Sequence, residues 1–293
     1  YNRSILIIPV STAVFQGVLA KMSARTSANI SGQFSKPRSL LDPTFANNVH
    51  STLPGRRIRF AHWFSGQAHD DSLSAFCMLH GAESAHDFDK CIAGDAHDLT
   101  KDAVFSAAIS DIDAGRINSA HFGIPCQTTS VLRLLNDSKW PMLRKAGQYL
   151  LGLPNLSGAD RATVTAANLC IQRSCQLALR LHARGGNFTI ESPVPRSINS
   201  EPWKRFYHES LKSHGSLWHF PEMAELQQRT GAKITSVALC AFGCESQKYT
   251  GLMYSPTLSY GFNNSDQFQC ECSQPHKKIA IGNSSRAASE SAA

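Results

Sequence analysis

The sequence has no apolar run that is both long and clean. The nearest approach, residues 5–20 behind Arg3, is broken by Ser11, Thr12 and Gln16. That argues against a membrane span or a secretory signal, and no membrane partner is expected. A disulfide framework is missing too. The 9 cysteines are odd in number and irregularly spaced through apolar segments, as reduced thiols of an intracellular protein are, so a nuclear or cytoplasmic location is expected. No internal repeat is visible, and the common Cys-x2-Cys zinc knuckle is absent. Cys240, Cys244, Cys270, Cys272 and His276 could between them supply four zinc ligands. Their Cys-x3-Cys and Cys-x-Cys spacings are not the usual ones, however, and the expectation is a chain without metal.

What is present is enough material for an enzyme. The 293 residues are 42% hydrophobic, sufficient for a large core. Lys and Arg number 29 against 22 Asp and Glu, a net +7 that suits a polyanionic partner, though a solvated basic surface has the same composition. Residues 23–57 are rich in Ser, Asn, Arg, Thr and Pro without periodicity, so 1–56 is expected to be a disordered or non-native leader, with Met22 as an available start. Residues 279–293 are expected to form a disordered tail.

Between these ends, strand and helix signals alternate, which predicts a parallel sheet with helices on its faces. Strands are expected at 58–64, 83–88, 117–123, 187–191, 236–242 and 250–254, and helices at 72–80, 101–114 and 162–184. Gly81 and Gly185-Gly186 are expected to stop the first and last of those helices. The fourth strand is expected to end before Ser192-Pro193, since proline cannot continue a central ladder.

Three features fall at carboxyl ends of predicted strands, where open parallel sheets bind ligands. After the first strand comes Phe64-Ser65-Gly66, where a glycine lets the backbone approach a cofactor; an ordinary strand-to-helix turn has the same residues. After the second come Asp87, Asp89, Asp95 and Asp98. Asp89 is favoured over Asp87 as a carboxylate for ribose hydroxyls, and Asp98 fits a cofactor contact or a helix cap equally. The third is Pro125-Cys126-Gln127, followed by Thr128, Thr129, Ser130 and Arg133. Read alone, Cys126 fits a packed thiol as well as a nucleophile. A helix entry and a nearby cation are what a thiolate needs, and Glu191 in Thr-Ile-Glu-Ser-Pro offers a partner at the end of another strand.

The order Phe-Ser-Gly, acidic strand end, Asp-Leu, Pro-Cys-Gln and Glu-Ser-Pro resembles the DNA (cytosine-5) methyltransferase family. It resembles most its divergent algal, viral and retroelement members, with Cys240-Ala241-Phe242-Gly243 and Lys248-Tyr249-Thr250 matching their later segment. The resemblance spans about 57–276. It implies a Rossmann-like α/β fold, a class I S-adenosyl-L-methionine-dependent methyltransferase core, made of 57–192 and completed by 235–278, with a small target-recognition insert at 193–234. It implies that Cys126 adds to C6 of a flipped cytosine in DNA, flanked by Pro125 and Gln127, while Glu191 binds the ring at N3. It further implies that Phe64, Ser65, Gly66, Asp89 and Asp98 line the site of S-adenosyl-L-methionine.

The family's Gln-x-Arg-x-Arg motif is absent, no second glycine follows Gly66, and Ser192 stands where Asn is usual. Arg133, Arg196, Lys204, Arg205 and Lys248 are the cations available to DNA. Trp203, Phe206 and Tyr207 could stack on bases or dock the insert. A monomer is expected. The rival functions are methyl transfer to RNA or a small molecule, and a silent nucleic-acid-binding relic of a mobile element.

Overall fold

A computed structural model describes residues 57–67, 70, 72–134, 141–242, 248–262, 268–273 and 276. The expected leader and tail, together with Gly243 and Cys244 of the later motif, lie outside the described residues. The chain is α/β. Its strands are β1 (Arg59–Trp63), β2 (Ser84–Phe88), β3 (Ser119–Phe122), β4 (Asn187–Pro193), β5 (Lys233–Ala238) and β6 (Tyr249–Tyr254), in one sheet of order β2-β1-β3-β4-β6-β5. β2, β1, β3 and β4 run parallel, and β6 is antiparallel to both β4 and β5. The order steps out from β1 to β2 on one side and to β3 on the other, a doubly wound, Rossmann-like arrangement whose switch point lies at the carboxyl ends of β1 and β3.

The helices are α1 (Leu73–Leu79), the single turn α2 (Lys90–Ala93), α3 (Asp102–Asp113), α4 (Gly158–Ala183), α5 (Pro221–Thr230) and the single turn α6 (Ser259–Phe262). The longest, α4, buries Val164, Ala167, Ile171, Ser174, Ala178 and Leu181, a stripe at alternating three- and four-residue spacing. It starts four residues before the expected point because Ser157 caps it, accepting from the Asp160 N–H at 3.1 Å. Gly185 (φ 68°) ends it as expected.

Alternation along the strands gives the sheet two unlike faces. Ala61, Trp63, Ala120, Phe122, Phe188 and Ile190 join Ile112, Ile171, Ala178 and Leu181 in the main core. On the opposite face the register aligns Asp87, His62, His121 and Thr189 in a row straight across four parallel strands. Val237, Leu239, Leu252, Tyr254, Phe262 and Phe268 form a smaller cluster beyond it.

Two strand expectations are corrected. β4 continues through Ser192-Pro193, because β3 pairs only as far as Ile190 and the proline falls where no neighbour on that side needs its N–H. β5 lies three residues earlier than 236–242, since Leu239–Phe242 turns away as a 3-10 segment and the apolar run there continues a core, not a strand. Within 193–234, α5 and the buried Trp203, Phe206, Leu217, Phe220, Met223 and Leu226 belong to the main core, so this segment is also the crossover from β4 to β5.

Candidate active site

β3 delivers Gly123-Ile124-Pro125-Cys126 to the carboxyl edge of the sheet, and Cys126 opens a short 3-10 turn, Cys126–Thr128. The turn is held carbonyl by carbonyl. Cys126 O accepts from the Thr129 N–H at 3.0 Å, and Gln127 O from Arg133 Nε. Thr128 O accepts from Arg144 Nε at 3.1 Å, and Thr129 O from His214 Nε2 at 2.8 Å. A loop with every carbonyl engaged loses little freedom when a ligand arrives, which is what positioning of a reacting atom requires.

Two of these clamps were not read from the sequence. Arg144 is 2% exposed. It also donates to Thr128 Oγ1 (2.8 Å), Leu150 O (2.7 Å) and Asn168 Oδ1 (2.9 Å), and burial brings its pKa down to about 10. His214 is buried, and its Nδ1 accepts from the Arg196 N–H at 3.1 Å while Nε2–H donates to Thr129. Those two bonds define a neutral tautomer, and burial holds the pKa down at about 4. Neither residue carries a local signal, because its partners are distant in sequence. For Arg133, expected at DNA, the side chain instead braces the loop, its Nη1 donating to Pro141 O at 2.7 Å.

Glu191 reaches the same edge from β4 and is 7% exposed. Burial raises the pKa of the half-buried Cys126 thiol; the Lys248 ammonium opposes that shift and the Glu191 carboxylate adds to it. Glu191 and Lys248 therefore each stand within electrostatic reach of Cys126. Lys248 directly precedes Tyr249, whose ring lies 5.0 Å from that of Phe206. Arg205 and Arg196 lie over the same Phe206 ring at 4.7 and 5.8 Å, so two of the expected DNA cations share one aromatic ring. Lys204 is exposed beside them. Trp203 and Phe206 are buried and serve docking: the two indoles of Trp203 and Trp218 sit 4.9 Å apart over Gly251 of β6.

Behind the carboxylate runs the polar row across the sheet. His121 Nδ1 is 2.7 Å from Thr189 Oγ1, and its Nε2 is 3.7 Å from Glu191 Oε2. The His121 ring meets that of His62 edge-on at 5.1 Å, and His62 Nδ1 is 3.3 Å from Asp87 Oδ1. Burial pushes the His62 pKa down against the pull of Asp87. For Asp87 burial works upward, but hydrogen bonds from His62 and Ser74 outweigh it and hold the carboxyl below its usual range. The repeated Ala-His-aromatic of Ala61-His62-Trp63 and Ala120-His121-Phe122 is the sequence signal that was passed over.

At the other side of the switch point, Phe64 (φ 61°) and Gly66 (φ 81°) both take the left-handed backbone, a strained conformation for phenylalanine. The Gly66 N–H donates to Asp89 Oδ2 at 3.0 Å, and Asp89 Oδ1 accepts from the Cys91 N–H at 2.8 Å. Asp89 thus ties the β1 turn to the β2 end. Ser65 is buried and its hydroxyl has no hydrogen-bond partner among the described residues, so an acceptor or donor from a ligand would satisfy it. Across the crevice Gly123 approaches the turn so closely that a Cβ would lie 3.3 Å from Phe64 O. Phe88 stacks on Trp63 at 4.3 Å. Asp98 fits neither reading fully: it accepts from Lys90 Nζ (2.8 Å), the Thr100 N–H (2.9 Å) and Thr100 Oγ1 (2.7 Å), while the residue capping α3 is Lys101.

Farther along the sheet edge, Cys240 Sγ, Cys270 Sγ, Cys272 Sγ and a ring nitrogen of His276 all lie within 4.8 Å of one another. Among the described residues no helix is long and apolar enough to cross a membrane. Neither a protein-family model nor a characterised protein nor a solved structure matches the chain.

Proposed function

We propose that the chain transfers a methyl group from S-adenosyl-L-methionine to C5 of cytosine in DNA, with Cys126 as nucleophile. The observation that carries this reading is the placement of Cys126 directly after β3, Glu191 on the adjacent β4 and Lys248 at the entry to β6, which pairs with β4, with both charges acting on the thiol. A thiol, a carboxylate and a cation from three distant segments is the set that nucleophilic addition to a pyrimidine ring calls for. The sheet supports it as well: a doubly wound parallel core with one reversed strand, β6, set between β4 and β5 resembles the sheet of class I methyltransferases.

The residues present fit the cofactor. The Phe64–Gly66 turn, the unsatisfied Ser65 hydroxyl and the Asp89 carboxylate would hold it beside the Cys126 loop. When bound, it supplies the methyl group. Lys248 favours the thiolate form of Cys126, whose sulfur bonds to C6 as Glu191, in its carboxylic acid form, passes a proton to N3 and so neutralises the charge that addition puts on the ring. C5 thereby becomes electron-rich enough to accept the methyl; loss of the C5 proton to water then expels the sulfur as thiolate, and the N3 proton returns to Glu191. The clamps on residues 127–129 keep the sulfur in place through both stages. Arg196, Arg205 and Lys248 would supply backbone contacts for DNA, and Lys248, within electrostatic reach of Cys126, is the one of the three placed for a flipped base.

The test is incubation with S-adenosyl-L-methionine and an oligonucleotide carrying 5-fluorocytosine, whose fluorine cannot leave as a proton does. A covalent adduct mapped by mass spectrometry to Cys126 supports the reading. An adduct only with the matching RNA moves the substrate to RNA. DNA binding with no saturable cofactor binding replaces the enzyme with a nucleic-acid-binding relic.

A further inference from the structure

We propose that Cys240, Cys270, Cys272 and His276 form a structural zinc site. In a regular tetrahedron with metal-sulfur bonds of about 2.3 Å, ligand atoms are separated by about 3.8 Å. The four donors already lie within 4.8 Å of one another, and Cys270 Sγ is 3.4 Å from His276 Nε2. Closing the set around an ion takes shifts of no more than about 1 Å.

The donor chemistry selects the metal. Three thiolates and an imidazole are soft to borderline ligands, which exclude calcium and magnesium and suit zinc. All four positions are taken by protein, so no place is left for substrate water, and the site is structural. Without an ion the arrangement is hard to account for. Neutral thiols are weak hydrogen-bond donors and gain little from meeting.

The placement gives the ion something to do. Phe268 packs into the smaller core cluster, and its carbonyl accepts from the Ala238 N–H at 2.8 Å, which brings the closing segment against the end of β5. Past Phe268 the chain turns polar, and three of the four donors, Cys270, Cys272 and His276, lie on it. Cys240 adjoins Leu239, whose N–H donates to Lys248 O at 2.9 Å. An ion at Cys240 therefore braces the point from which Lys248 extends toward Cys126. The spacing hid this site because its ligands come from two segments, a single cysteine after β5 and a Cys-x-Cys-x3-His run thirty residues on. The inference rests on the donor geometry alone and does not depend on methyl transfer.

The full chain, purified under reducing conditions without chelator, is expected to carry about one zinc per molecule by elemental mass spectrometry. Exchange for cobalt(II) is expected to give intense visible bands and a sulfur-to-cobalt charge-transfer band, the signature of tetrahedral thiolate coordination. Cys272→Ser weakens the charge-transfer band and His276→Asn shifts the visible bands, while Cys91→Ser, at an exposed cysteine outside the cluster, changes neither. The wild-type spectrum decides the matter even if a ligand variant fails to fold. A metal-free chain with the pale spectrum of aqueous cobalt overturns the proposal, and so does a disulfide among Cys240, Cys270 and Cys272 in the reduced preparation.

Discussion

His214 donates its Nε2 proton to the carbonyl of Thr129 across 2.8 Å, joining the crossover between β4 and β5 to the loop that carries Cys126. With Nδ1 accepting from the Arg196 N–H, the ring can serve both partners only while neutral. A protonated imidazole has no acceptor, so the Arg196 bond would be lost and a buried charge gained.

That places a stability slope in the acid range. The folded-state pKa of His214 is about 4, below its ordinary value of 6.5. The unfolded chain therefore binds the extra proton first, and stability falls as pH drops from 6.5 to about 4. The whole shift corresponds to roughly 3 kcal/mol at this site. Urea unfolding between pH 7.5 and 4.5 checks it: His214→Gln is expected to be less stable at pH 7.5 and to lose part of the pH dependence. An unchanged slope in the variant would assign that dependence to other groups, His62 among them.

Arg144 offers a second handle on the same loop. Replacing it by Met fills most of the space but strands Thr128 O, Thr128 Oγ1 and Leu150 O, which should cost about 3–5 kcal/mol. Arg144→Lys keeps the charge without the planar fork and should recover only part of that. If the loop is what Arg144 holds, hydrogen exchange at 127–129 rises in both variants more than exchange in β1. A uniform rise across the sheet would mean that the residue serves the core and not the loop.

These two residues show where sequence reading stopped. Cys126 and Glu191 were legible because each ends a recognisable strand and carries its own chemical meaning. Arg144 and His214 have meaning only through partners 16 and 85 residues away, Thr128 and Thr129, and no local pattern encodes such a pairing. The strand alternation of β1 and β3 was legible, yet His62 and His121 went unnoticed on the face that alternation turns away from the main core. α5 was missed because its buried apolar residues Met223 and Leu226 are few and each follows a glutamate in a mostly polar run. The cations at 196 and 205 were named singly; that Phe206 gathers them is a fact of packing.

Packing at Gly251 is open to a direct test. A Cβ there would lie 2.6 Å from Trp203 and 2.7 Å from Trp218, two buried rings on the segment expected to recognise DNA. Gly251→Ala should destabilise by about 1–3 kcal/mol through overpacking, with Trp fluorescence shifted. A double substitution that also trims Trp203 to Leu makes room and should restore part of the loss. A Gly251→Ala chain as stable as the wild type would show that the indoles do not seat on β6 as described.

The charges around Cys126 make opposite predictions for its reactivity. Lys248 lowers the thiol pKa and Glu191 raises it, against a background set by burial. Alkylation of Cys126 by iodoacetamide at pH 7.5, followed by mass spectrometry, should slow in Lys248→Met and quicken in Glu191→Gln. The changes should be several-fold, because each pKa unit alters the thiolate fraction about tenfold. Methyl transfer should behave differently: Cys126→Ala abolishes it, and Glu191→Gln lowers it by on the order of 10²-fold or more despite the more reactive thiol. That divergence, a faster nucleophile in a slower enzyme, is what a carboxylate acting on the ring produces. If Glu191→Gln changed both rates in the same direction, Glu191 would act through the thiol, and its place at the pyrimidine would have to be given up.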